Sequence, residues 1–131
     1  MLSTKLSRYP WELEQRQRLA QRYNEAFVDL KKYSVHTPVV RSNCTSVWAQ
    51  YTLWVPDREK FQAHLQKKNV PTAVHYPITM ADQPAYRETS TIHDISVARL
   101  AAKHVVSLPM YPDMTIGIQD QIIGAVRGAY L

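Results

Sequence analysis

Glycine is missing from residues 1–116, and the three glycines present are Gly117, Gly124 and Gly128. This excludes any glycine-rich loop that cradles a phosphate with backbone N–H groups ahead of position 117. Cysteine is nearly missing as well. Cys44 stands alone, so no internal disulfide can form, and a reducing, cytoplasmic setting is expected. Flanked by Asn43 and Thr45, it reads as a buried or inert thiol rather than a nucleophile. The five histidines (His36, His64, His75, His93, His104) include no pair four residues apart, so no metal site is expected. No apolar run approaches the roughly 18 residues of a membrane span. The opening Met-Leu-Ser-Thr-Lys-Leu also lacks the continuous apolar core of a signal peptide.

What is present describes an ordinary globular domain. A chain of 131 residues with 45% hydrophobic content is long enough to bury one core without staples. The net charge of +5 raises the question of a polyanion partner. The basic residues are dispersed, however, and interleaved with acids, as in Glu12–Arg22. Lys31-Lys32 and Lys67-Lys68 are pairs rather than runs, so no nucleic-acid partner is expected.

Residues 10–30 read as an amphipathic helix, with Leu19, Tyr23, Ala26, Phe27 and Leu30 on one stripe and Pro10 in the first turn. Ahead of it, Leu2, Leu6 and Tyr9 form an apolar face without a partner in the chain, so Met1 does not read as a natural domain start. The clearest strand is 47–55. Val47, Ala49, Tyr51, Leu53 and Val55 share one face, and Trp48, Gln50, Thr52 and Trp54 share the other, partly covered one. Ser34–Val40 is a weaker strand disturbed by Pro38. Asp57 caps a helix with Phe61 and Leu65 inward and Asn69 as a left-handed C-cap. A loop over 78–93 holds one helical turn near Gln83–Tyr86. Asp94 caps a helix that turns Ile95, Ala98, Ala101, Ala102 and Val105 inward and ends in a proline-bracketed turn at Ser107–Pro112. Thr115 caps a last helix with Ile118, Ile122 and Val126 inward.

The stretch Val70–Pro77 organises this pattern. It reads as a short strand with Thr72, Val74 and Tyr76 on one face, Ala73 and His75 on the other, and Pro71 and Pro77 closing its ends. It therefore delivers an imidazole and a phenol to the edge of a loop. The element order gives an α/β fold of the α+β type: a small, mainly antiparallel sheet of three to four strands packed with helices, as one domain over 1–131. Asp57/Glu59 and Asp113/Asp120 read as helix-end charges, not as an acid–base pair. On chemistry alone the chain is not a self-sufficient enzyme.

Several segments, in order, resemble one family: Arg16–Tyr23, Ser46-Val-Trp-Ala-Gln-Tyr-Thr52, Pro71-Thr-Ala-Val-His-Tyr-Pro77, Gln83-Pro-Ala-Tyr86 and Ser107-Leu-Pro-Met-Tyr-Pro112. Together they look like the C-terminal small domain of the DegT/DnrJ/EryC1/StrS nucleotide-sugar aminotransferases, which share the fold of the aspartate aminotransferase type. The wording is closest to the branch that aminates 3-keto UDP-N-acetylated uronic acids for surface polysaccharides such as lipopolysaccharide. Asn69, where glycine is usual, and Met80, where histidine is frequent, depart from the pattern.

The resemblance implies transfer of an amino group from glutamate to a keto-sugar nucleotide with pyridoxal phosphate. It places the Schiff-base lysine and the cofactor contacts in an N-terminal large domain that these residues do not include. It also implies a homodimer when full length, and it leaves this chain inactive by itself, with no catalytic, cofactor-binding or metal-binding residues of its own. His75 and Tyr76 are implied as substrate-side residues, only one of them reaching ligand while the other packs; Gln50 is a third. The alternative is a stand-alone protein-interaction module that uses the Leu2/Leu6/Tyr9 and Trp48/Trp54 surfaces.

Overall fold

Helix α1 runs Leu2–Phe27 and continues into a 3-10 turn, Val28–Tyr33. The computed structural model describes residues 2–89 and 91–131, with side chains of α1 from Lys5 onward. Met1 and the Leu2 side chain, part of the expected apolar N-terminal face, lie outside the described residues. The start of α1 corrects the expectation that Pro10 opens the helix, because Pro10 lies in its interior. A proline there removes one backbone hydrogen bond. Side-chain ties nonetheless hold the early turns: Arg8 bonds Asp113, lies near Glu12, and sits 4.5 Å over the Trp11 ring.

The expected stripe on α1 is the centre of the core. Leu19, Tyr23, Phe27 and Leu30 are buried against Tyr51, Leu53 and Val55 of the sheet and Ile122, Ala125 and Val126 of the last helix. Burial of each large side chain contributes about 1.5–3 kcal/mol relative to exposure. Tyr23 sits at the middle, stacked on Phe27 at 5.6 Å and tilted against Tyr51 at 4.8 Å. Its hydroxyl donates to the Pro109 carbonyl at 3.1 Å, so the buried phenol is satisfied.

The fold class is α+β, as the sequence suggests. Among the described residues the regular ladder is one antiparallel pair, β1 Tyr51–Trp54 and β2 Val105–Leu108. The two other strand candidates shrink to single antiparallel bridges, His36 to Trp54 on one flank and Ala73 to Ser107 on the other. Proline explains the shrinkage. Pro38, Pro71 and Pro77 have no N–H to extend either pairing. The expected strand over 47–55 is likewise trimmed at its start. Trp48 takes a left-handed backbone, φ 48°, which breaks the alternation. Trp48 is therefore buried, its ring N–H donating to Gln17 at 2.8 Å, while Val47 and Ala49 are exposed.

Strand β2 takes residues 105–108, where the sequence suggests a helix end and a turn. The Ser96–His104 helix, α3, stops one residue short of Val105 because Val55 N–H claims the His104 carbonyl and β1 pairs with Val105–Leu108. Arg58 also donates to the Ala102 and Val105 carbonyls, satisfying the end of α3. Of its expected inward face only Ala102 is buried, and Val97 and Leu100 are exposed.

Helix α2, Arg58–Lys67, is capped by Asp57, which accepts from Lys60 N–H at 3.0 Å; Asn69 beyond its end has φ 57°. Helix α4, Ile116–Arg127, is capped by Thr115. Its inward face is Gln119, Ile122, Ala125 and Val126, so Gln119 occupies the place expected of Ile118, which is exposed.

Candidate functional site

Ala73 is the last residue of the 70–77 stretch held to the sheet, exchanging two hydrogen bonds with Ser107 at 2.7 and 3.1 Å. Beyond it the chain leaves the sheet, and His75 and Tyr76 both stand exposed, Tyr76 by 74%. Their rings meet edge to face at 5.8 Å. This corrects the expectation that one packs while the other faces out. That expectation assumed strand alternation, and the backbone is no longer a strand there.

Tyr76 forms one wall of an open cleft of about 550 Å³, with Ile78, Met80, Gln83, Tyr86 and Ala98 among the other walls. The cleft lies between the loop after Pro77 and helix α3. A bidentate ion pair sets the loop against the helix. Arg99 on α3 donates to both Asp82 carboxylate oxygens at 2.8–3.2 Å, and Thr79 donates to the same carboxylate at 2.7 Å. The Arg99 hydrogen bonds, then that of Thr79, hold the Asp82 carboxyl well below the usual carboxylate range. Arg87 adds a bond to the Asp82 carbonyl at 3.2 Å. Sequence reasoning missed this cluster: Asp82 and Arg99 stand 17 positions apart on a loop and a helix, and no periodicity links them.

Gln50 is exposed at the entry to β1. Thr52, Ser107 and Ala73 lie side by side in the sheet, and the segments holding Thr52 and Ala73 run the same way. Gln50 precedes Thr52 by two residues, and His75 follows Ala73 by two. The register thus carries Gln50 and His75 toward opposite ends, and the structure does not bring them together. The proposed Trp48/Trp54 surface is also not free. Trp48 is buried, and Trp54 is half-buried and stacked on His104 at 4.8 Å. Leu6 and Tyr9 are exposed as expected.

All seven lysines (Lys5, Lys31, Lys32, Lys60, Lys67, Lys68 and Lys103) are exposed, and none lines the cleft beside Tyr76. Within this chain the described residues enclose no lysine amine of the kind a pyridoxal phosphate site uses. They also contain no group of three or more His, Cys, Asp or Glu able to hold a metal ion, and no helix long and apolar enough to cross a membrane.

Residues 1–127 match the model of the DegT/DnrJ/EryC1/StrS aminotransferase family. The chain belongs to that family. Among its relatives is the UDP-2-acetamido-2-deoxy-3-oxo-D-glucuronate aminotransferase of Pseudomonas aeruginosa, 40% identical over 112 residues, which are 86% of this chain and 30% of that protein. The dTDP-3-amino-3,6-dideoxy-alpha-D-galactopyranose transaminase of Aneurinibacillus thermoaerophilus is 32% identical over 97% of this chain and 34% of its own length. A DegT/DnrJ/EryC1/StrS aminotransferase structure from Brucella abortus superposes with a TM-score of 0.89 at 34% identity, over 97% of this chain and 33% of that one. The chain thus spans about a third of the length of the family members it matches.

Proposed function

We propose that this chain is the substrate-side portion of a longer, pyridoxal-phosphate-dependent transaminase that moves an amino group from glutamate to a keto-sugar nucleotide. The observation that carries this reading is the pair His75 and Tyr76, two exposed hydrogen-bonding rings in edge-to-face contact, of which Tyr76 lines an apolar cleft, within a chain of the sugar-aminotransferase family. Neither ring is needed by the core, so both are available to a ligand. The name of the Pseudomonas relative points to a UDP-linked 3-keto uronic acid as the acceptor, a building block suited to a cytoplasmic pathway for surface polysaccharide. Residues 1–131 act as a single C-terminal small domain. The large domain, in the remaining length of the polypeptide, holds the cofactor, and the complete enzyme works as a homodimer.

Pyridoxal phosphate, when bound, supplies the electron sink for moving the amino group. The residues of this chain orient the sugar nucleotide. His75 and Tyr76 each offer a donor and an acceptor to hydroxyl or phosphate oxygens, and the cleft beside Tyr76 offers apolar walls to the rest of the ligand. Gln50 serves as a further polar contact from the other end of the sheet. Alone, the chain is inactive.

In the full-length enzyme, His75→Ala is expected to raise KM for the UDP-linked keto sugar about tenfold, the loss of one hydrogen bond of about 1.5 kcal/mol. The glutamate half-reaction should be unchanged. An unchanged KM in both His75→Ala and Tyr76→Ala would remove these residues from the substrate site. Pyridoxal phosphate titrated into the 131-residue chain should give no borohydride-reducible adduct at a specific lysine. Such an adduct would overturn the division of labour between the two domains.

A further inference from the structure

We infer that the Asp82–Arg99 ion pair positions the wall of the ligand cleft, and that both residues act on substrate affinity through Tyr76 and its neighbours rather than by touching ligand. This rests on the reading of His75 and Tyr76 as substrate-side groups. From Tyr76 to Ile95 none of the described residues is buried, so the core supplies almost nothing to fix this segment. The loop has its own short-range bonds: Asp82 N–H to Thr79, Gln83 N–H to Met80, and Tyr86 and Arg87 N–H to Gln83. These give it a local shape but do not attach it to anything.

Attachment comes from the cluster on Asp82. Arg99 grips the carboxylate with three hydrogen bonds from α3, Thr79 binds it from one side of the loop, and Arg87 binds its carbonyl from the other. A two-pronged guanidinium–carboxylate contact fixes direction as well as distance. It holds Met80 and Gln83 on one side of the cleft relative to Ala98, which lies one residue before Arg99 on the helix. Exposed ion pairs contribute little to global stability. The effect of this one falls on the placement of a loop, where small displacements matter to binding.

The test uses Arg99→Ala, Asp82→Asn and the reversed pair Asp82→Arg with Arg99→Asp. Amide hydrogen exchange at residues 82–89 of the 131-residue chain should quicken about tenfold in each single variant, as expected for a segment freed to open locally, with the amides of β1 and β2 unchanged as the internal reference. In the full-length enzyme, KM for the UDP-linked keto sugar should rise about fivefold with kcat and the glutamate half-reaction unaltered, the signature of lost binding alone. The reversed pair should restore both readouts toward the parent values. Unchanged exchange in the single variants would overturn the attachment. Faster exchange with an unchanged KM would overturn the positioning role, and a reversed pair that restores neither readout would assign the effects to something other than the pairing. A full-length protein with no transaminase activity would fail the functional proposal alone, and the exchange measurement would still decide the attachment.

Discussion

Gln119 on α4 donates its side-chain amide to the Leu19 carbonyl on α1 at 2.8 Å, while its oxygen accepts from Arg22 at 3.2 Å. The side chain is 1% exposed, so this is a polar staple between two helices inside the core. Gln119→Leu keeps the volume and removes the bonds, and it should cost about 1 kcal/mol. Gln119→Ala also opens a cavity and should cost about 2–3 kcal/mol. Urea titration of both variants checks the order; equal losses would mean that the cavity, not the hydrogen bonding, is negligible.

Function and stability should separate at the cleft. His75→Ala and Tyr76→Ala remove exposed rings and should shift unfolding by less than about 0.5 kcal/mol. Tyr51→Phe should cost about 1 kcal/mol, because the buried ring loses its 2.7 Å bond to Asn24. A His75→Ala variant that unfolds as readily as a core mutant would mark the histidine as a structural residue.

Much of this fold is legible in the sequence, because helix stripes and caps are local. Tyr23 and Phe27, Asp57 and Thr115, and the left-handed Asn69 all follow from spacing and residue type alone. The strand assignments are less so. Alternation over 47–55 gives no sign that Trp48 turns left-handed, since its partner is Gln17 on α1. Of the proposed site, the sequence singles out the two rings but not the groups that support them. Tyr76 and His75 announce themselves between prolines, whereas Asp82 and Arg99 meet only through tertiary structure.

Gly124 and Gly128 lie four residues apart and should answer differently to alanine. A Cβ at Gly124 meets nothing within 4 Å, so Gly124→Ala should stabilise the mid-helix position, by about 0.5–1 kcal/mol from helix propensity alone. At Gly128 a Cβ would lie 3.2 Å from the Gly124 carbonyl and 3.7 Å from His64 Nε2, which offsets the gain. Thermal melts decide it. A stabilisation at Gly128 equal to that at Gly124 would show that the backbone yields there.

Stability should fall at both pH extremes, for opposite reasons. Hydrogen bonds from Arg127 hold the Asp29 carboxyl below its ordinary 3.8, as those from Arg99 hold Asp82. Both carboxyls are depressed in the folded state, so their contribution is whole above pH 3.8 and is lost as the pH falls below it. Burial raises the Tyr23, Tyr51 and Tyr130 phenols above their ordinary 10.0, with Tyr130 pushed up to about 12. Their contribution is whole below pH 10.0 and is lost as the pH climbs through the folded values. Denaturant melts across pH, followed by tyrosinate absorbance, test this. Ionisation of all eight tyrosines at their ordinary value without unfolding would contradict it.

The flanks of the sheet carry a consequence for solubility. Each rim is a single bridge, at His36 and at Ala73, with Pro38, Pro71 and Pro77 close by. A foreign strand arriving at either rim meets a flank only one bridge long, beside prolines that cannot donate to it. Short, proline-bordered flanks work against edge-to-edge extension of the Leu53 and Val106 ladder, in a chain that leaves Val39, Val97 and Leu100 facing water.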